Sequence, residues 1–416
     1  MRPAFVMAAL LLVLLLVGSI RAIRKDVQQG FDELAHASYV AQMQHSHALW
    51  LDLDSLRMLD PKTLLPTAEP NYLNHPPFYY RVLAWLGPAI EGHPEALLVH
   101  RLINLAVVAL GFAALLLIPP ATRWSQRDFA AYAVPLLFMP VLAPLAGSIN
   151  NDNFAFTGGA LALLAAFRLL AGGGKAWLWL LLAAFVLASW SKLSGLLLVG
   201  GFVILTSAWM AWRRQLSPGA LLLIALATLV AVAPYLVLIQ LYGSAAPYTA
   251  ALQATLLADS ARAGWADAPR LSLPAYGLHF AADFLRFWMP ALNDRNLFQY
   301  AMLVLPFTAL ICAGAGLLVS LGRIVARREE ASDVVVVAGA AALAVTFVLH
   351  LLVSYQRHVA TGWLMDAYPR YYLPLAAIVP LACLALASAA PPRWRKPVLG
   401  FFIIQPILFQ VFGAAL

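Results

Sequence analysis

Long apolar runs recur from one end of this sequence to the other, and they decide what the chain can become. A helix needs roughly 20 apolar residues to cross the ~30 Å hydrocarbon core of a bilayer. Eleven stretches approach that length: about 4–20, 97–118, 129–147, 154–171, 176–190, 193–212, 219–241, 297–321, 334–354, 372–390 and 398–416. The stretch 176–212 is one run interrupted by Ser189-Trp190-Ser191-Lys192, and its length reads as two short spans joined by a tight turn. Hydrophobic side chains make up 62% of the residues and charged ones only 11%, which excludes a water-soluble enzyme and a disordered chain. The expected fold class is an all-α polytopic membrane protein of about 11 transmembrane helices. Residues 1–416 are expected to form a single transmembrane domain without a separate soluble domain.

The chain has 27 basic and 19 acidic residues, a net charge of +8. With the N-terminus inside, thirteen bases and four acids fall on the cytoplasmic side, mostly in short turns. That is the positive-inside pattern, so the basic balance reads as topology and no nucleic acid partner is expected. Arg21, Arg24 and Lys25 are a local exception, because they follow the first span on the outer side. They stand where a cleavage site would follow a signal peptide, so the first run is read as an uncleaved span. Cys312 and Cys383 lie in apolar runs and read as small core residues, with no disulfide framework. The outer loops are long, about 21–96, 242–296 and 355–371, and all nine histidines fall on the outer half. Long loops usually carry function, so chemistry is expected outside. Interfacial helices are expected at 29–47, at 76–90 and around Arg286-Phe287-Trp288.

The outer polar residues are clustered. On a helix, Asp32 and Glu33 stand four and three residues before His36, so all three can meet. They can work as a general base or as metal ligands, or only complement a helix N-terminus. Asn74-His75-Pro76-Pro77-Phe78-Tyr79-Tyr80 combines a rigid helix start with an aromatic belt. Asn150-Asn151-Asp152-Asn153 fits a tight capped turn and also offers hydroxyl-binding groups. Lys192 is a lone cation between two apolar runs, placed either to snorkel or to bind a lipid phosphate. In Asp366-Ala367-Tyr368-Pro369-Arg370-Tyr371-Tyr372, Arg370 suits phosphate oxygens and equally could neutralise Asp366.

Taken in order, Asp32-Glu33 with His36 and Tyr39, His75 to Tyr80, Asn151-Asp152, Lys192-Leu193-Ser194-Gly195 and Arg370-Tyr371-Tyr372-Leu373-Pro374 resemble the GT-C superfamily of integral-membrane glycosyltransferases. The likeness runs over residues 1 to about 380. It is strongest to bacterial families related to protein mannosyltransferases and the aminoarabinose transferase. A relative with a Pro-Asp-Glu-x-x-His start and a Gly-Arg-Tyr-x-x-Pro end differs at Phe31 and Pro369. The resemblance implies a GT-C-like fold in a bacterial inner membrane, with the active site on the extracytoplasmic side. It implies inverting transfer of a sugar from a polyprenyl-phosphate donor to a hydroxyl of a lipid, glycan or protein acceptor. Asp32 would be the general base and Glu33 its catalytic neighbour. His36, Tyr39, His75, Tyr79, Tyr80, Asn151, Asp152, Lys192, Arg370 and Tyr371 would bind substrate. The resemblance fixes no cofactor, and a divalent metal on Asp32, Glu33 and His36 is left open. The rival class is a lipid or solute transporter or flippase, which would carry matched broken helices in inverted halves.

Overall fold

The computed structural model describes residues 3–118, 124–287 and 302–414. The protein is a polytopic helical membrane protein, with almost no sheet among the described residues. Among them eight helices are long and apolar enough to cross a membrane, or nine when one bent pair counts as a span. In chain order the helices begin with α1 (Pro3–Arg24), α2 (Glu33–His45) and α3 (Phe78–Leu86). Next come α4 (Ala96–Leu116), α5 (Gln126–Leu137), α6 (Leu142–Ala146), α7 (Asp152–Leu170), α8 (Lys175–Ser191) and α9 (Leu193–Trp212). Then follow α10 (Pro218–Tyr242), α11 (Ala250–Arg262), α12 (Leu273–Phe287) and α13 (Val304–Val325). The last three are α14 (Ala331–Thr361), α15 (Ile378–Ala389) and α16 (Pro392–Leu408).

The difference from eleven has local causes. The expected span at 129–147 is two short helices, α5 and α6, with Pro135 inside the first and Pro144 in the second. Proline removes a backbone donor and clashes with the preceding turn, so the apolar run cannot stay one rod. The run 176–190 is the 17-residue helix α8, too short for the length criterion. The run at 372–390 begins as a 3₁₀ turn, Pro369–Leu375, bent by 60° from α15. Pro369 and Pro374 again mark the break. The side chains of Arg286, Phe287 and Trp288 lie outside the described residues, as does the start of the run expected from residue 297.

α7 is the axis of the bundle. Of its apolar stretch 78% is buried, against 17% in α1 and in α13, whose outer faces are left for lipid. It packs on α4, α8, α9, α14 and the Pro369–Leu375 turn. Small residues allow this closeness, as is usual where lipid supplies no hydrophobic drive between helices. A Cβ on Gly158 would sit 2.8 Å from the Ala184 carbonyl oxygen, and one on Gly159 would strike the Pro374 carbonyl.

The stretch 21–96, expected to be the first outer loop, is folded around a core of its own. Tyr39, Tyr79, Tyr80 and Leu83 of α2 and α3 are fully buried with Leu56 and Leu64. A two-stranded antiparallel hairpin, β1 (Arg57–Leu59) and β2 (Pro66–Pro70), crosses beside α2. The Ser38 hydroxyl accepts from the Leu59 amide at 2.9 Å and ties it down. The two interfacial helices expected here exist but are shorter, because Gly30, Phe31 and Asp32 all adopt positive φ and delay the start of α2.

Gly159→Ala is expected to cost about 1–3 kcal/mol, the usual range for overpacking, and to lower the thermal unfolding temperature in detergent. Gly314→Ala on α13, where a Cβ meets nothing within 4 Å, is expected to leave it unchanged or raise it.

Candidate active site

The site is built where four chain segments meet. The first is the strained turn before α2. Phe31 (φ 61°) and Asp32 (φ 57°) are left-handed, a conformation costing of order 1–3 kcal/mol per non-glycine residue. Proline cannot adopt it, since its ring locks φ near −65°, so Phe31 is compatible with this turn where the relative's proline is not. The turn also sends the two adjacent carboxylates in opposite directions.

Asp32 faces outward and Glu33 inward. Asp32 accepts from Arg370 Nη2 at 2.5 Å and from the Tyr72 hydroxyl at 3.1 Å, with 37% of its side chain exposed. It makes no capping bond to α2. Glu33 is fully buried, paired with Arg101 Nε at 2.8 Å and Lys25 Nζ at 3.2 Å, and accepts from the Ile149 amide. The expected convergence of Asp32, Glu33 and His36 therefore does not form. Among the described residues no group of three His, Cys, Asp or Glu is placed to hold a metal.

The second and third segments are the start of α7 and the gap between α8 and α9. Asp152, in the first turn of α7, is 2% exposed and receives Lys192 Nζ at 3.0 and 3.1 Å. Lys192 is the one-residue break between α8 and α9, with extended backbone (φ −163°, ψ 149°). Its ammonium does not snorkel to water; it lies 3.7 Å from the centre of the Tyr371 ring. The fourth segment is the Pro369–Leu375 turn, whose Arg370 Nε lies 3.3 Å from Asp152 Oδ2. Asp32, Arg370, Asp152 and Lys192 thus form one chain of alternating charge. Arg370 does not neutralise Asp366; Arg357 of α14 does, at 3.0 Å.

The imidazole of His36 lies between Asn150 and Tyr80. Asn150 Oδ1 accepts from the Asp152 amide at 2.8 Å, which fixes its amide so that Nδ2 donates to Phe31 O and His36 Nε2. Nδ1–H of His36 then donates to the Tyr80 hydroxyl at 3.0 Å. Burial drives the His36 imidazole down to about 3 against the upward pull of Asp32, and burial holds His75 well below the usual range. Both rings are neutral, stacked 6.1 Å apart. Burial pushes the Asp32 carboxyl up, but the Arg370 guanidinium and the Tyr72 hydrogen bond bring it below the ordinary carboxylate range.

These groups border a cavity of about 260 Å³. Asp32, His36, His75, Lys192, Arg370 and Tyr371 line it. The face of α11 carrying Leu252, Thr255, Leu256 and Asp259 borders it as well. The other candidates stand behind this wall. Tyr39 stacks on Tyr80 at 3.9 Å, the Tyr79 hydroxyl is 3.0 Å from Asn104, and Asn151 donates to the Ser191 carbonyl. Sequence reasoning missed Arg101, Arg357, Tyr72 and the pairing of Asp366. The signal for Arg101 was present, since an ionisable residue inside an apolar run is a functional candidate by default.

No family model and no curated protein matches this chain. Among solved structures it is similar to ArnT from Cupriavidus metallidurans bound to undecaprenyl phosphate, at 20% identity over 98% of this chain and 86% of that one, with a TM-score of 0.40. It is similar to the same enzyme in the apo state at 19% identity, over 96% and 84%, with a TM-score of 0.38. The Archaeoglobus fulgidus oligosaccharyltransferase in the apo form is 14% identical over 97% of this chain and 54% of that one, with a TM-score of 0.49.

Glu33 and Asp32 should separate cleanly on substitution. Glu33→Gln leaves Lys25 and Arg101 buried without their counter-charge and is expected to cost about 3–5 kcal/mol. Asp32→Asn, at a partly exposed position, is expected to cost clearly less. Thermal unfolding of the two purified variants checks this.

Proposed function

We propose that this chain is a membrane glycosyltransferase that moves a sugar from a polyprenyl-phosphate donor to an acceptor hydroxyl at the extracytoplasmic face. Its residues 1–416 work as one membrane-embedded unit, set in a bacterial inner membrane. The observation that carries the reading is the pairing of one accessible carboxylate, Asp32, with buried cations around one cavity. The ordered motifs of the sequence support it.

In the proposed step Asp32 takes the proton of the acceptor hydroxyl while the oxygen attacks the anomeric carbon from the side opposite the phosphate. The C1–O bond to the phosphate breaks, and its electron pair leaves with the phosphate. The donor phosphodiester carries one negative charge and the leaving polyprenyl phosphate two, so the charge lost by Asp32 reappears on the leaving group. No general acid is needed. What is needed is positive potential in a place of low dielectric, which Lys192 and Arg370 supply. Glu33 acts on this reading as a positioning residue, because it fixes the base-bearing turn to α1 and α4 through Lys25 and Arg101. His36, neutral and doubly hydrogen-bonded, supports the turn through Asn150 and takes no proton.

Release of polyprenyl phosphate from a panel of glycosylated donors, followed by mass spectrometry with membrane lipid extract as acceptor, tests the reading. Asp32→Asn is expected to lower the rate by about 10²–10⁴-fold, the usual worth of a positioned base. Catalysis requires the ionised carboxylate, whose pKa is depressed. Activity is therefore expected to persist as pH falls through the ordinary carboxylate range and to fail only below it. A wild type that releases nothing from any donor, and whose stability no donor raises, would sink the proposal in favour of a transporter.

A further inference from the structure

The charge chain at the centre of the site is closed. Lys192 and Arg370 are more than nine-tenths buried, and their partners are Asp152 for the first and both Asp32 and Asp152 for the second. An incoming anion can feel their field but has little surface of either to touch. A third cation lines the same cavity. Arg357 has 23% of its side chain exposed, more than twice the exposure of Lys192 or Arg370.

Three features make Arg357 suited to an anion at the membrane surface. Among the described residues its guanidinium makes a single hydrogen bond, from Nη1 to Asp366 Oδ2 at 3.0 Å, which leaves Nε and Nη2 as donors. A guanidinium presents such donors as a planar fork that matches phosphate oxygens. Asp366, 5% exposed, holds the fork in place without using it up. The height is also right. α14 is 31 residues long, about 46 Å at 1.5 Å per residue, and so overshoots a hydrocarbon core of ~30 Å. Arg357 lies four residues before its end at Thr361.

Resting on the reading of the protein as a lipid-phosphate-dependent transferase, we propose that Arg357, held by Asp366, is the residue that grips the phosphate of the lipid donor. Lys192 and Arg370 then act at short range through their field, while Arg357 makes the contact. This gives the Arg357–Asp366 pair a binding role and assigns the reachable cation of the cavity.

The test is binding of undecaprenyl phosphate and of undecaprenol to the purified full-length protein in detergent. Wild type is expected to bind the phosphate more tightly than the alcohol. Removing the fork should cost about 10–100-fold for the phosphate, the worth of charged hydrogen bonds, and little for the alcohol. Arg357→Gln alone would leave Asp366 buried and unpaired, so the decisive variant is Arg357→Gln with Asp366→Asn, which keeps the pair neutral. Arg357→Lys should recover only part of the loss, since an ammonium keeps the charge without the fork. A neutral double variant that binds undecaprenyl phosphate like wild type overturns the assignment. Equal losses for phosphate and alcohol overturn it too, by showing that the pair only supports the fold. A wild type that does not distinguish the two lipids would instead strike at the donor class itself.

Discussion

The ion-pair chain from Asp32 through Arg370 and Asp152 to Lys192 is the constraint on which the rest of the structure depends. Taking charges out of water is costly, and at membrane depth it is tolerated only when partners are supplied. Asp32 and Arg370 are 338 residues apart in sequence, and Asp152 and Lys192 are 40 apart. Each comes from a place where regular structure stops. These are the left-handed turn before α2, the first turn of α7, the gap between α8 and α9, and the 3₁₀ turn before α15. The breaks in the helices are therefore what the pairing needs. A continuous helix through 176–212 would leave Lys192 as an unpaired ammonium on an apolar rod.

Much of this was legible in the sequence, and the failures have physical reasons. The apolar runs include every helix among the described residues that is long and apolar enough to cross a membrane, because length and hydropathy are properties of one helix. At 129–147 Pro135, Pro140 and Pro144 interrupt a run that composition alone presents as continuous. The site clusters named from the sequence do converge, but the two adjacent carboxylates part. Asp32 and Glu33 look equivalent on an ideal helix starting at Gln29. Three successive positive φ values start the helix later and turn one carboxylate to the cavity and the other to Lys25 and Arg101.

Pairing partners were the least legible part. Arg370 lies four residues after Asp366 and looked able to neutralise it, yet a 3₁₀ turn with two prolines is not the α-helix that would bring them together. Asp366 finds Arg357 instead, because α14 runs on to Thr361 through what reads as the start of a loop. Similarly, Lys25 violated the charge rule for an outer loop for a reason that no rule of composition contains. It is one of two cations that neutralise a buried glutamate. Arg101, the other, lies within an apolar run whose hydropathy it barely lowers.

The Asp32–Arg370 pair also resolves an apparent conflict in the proposed chemistry. A carboxylate whose pKa is depressed is a weaker base than an ordinary one, which alone would disfavour it as the proton acceptor. Catalysis depends, however, on interactions that strengthen on the way to the transition state. As the acceptor proton moves to Asp32, that carboxylate loses its charge and its hold on Arg370. At the same moment the departing phosphate gains a second negative charge. The guanidinium that Asp32 releases is then free to stabilise the phosphate, so the same cation serves the base at the start of the step and the leaving group at its end. The weak basicity of Asp32 is the ground-state side of this exchange. Its cost is recovered in the electrostatic stabilisation of the leaving group.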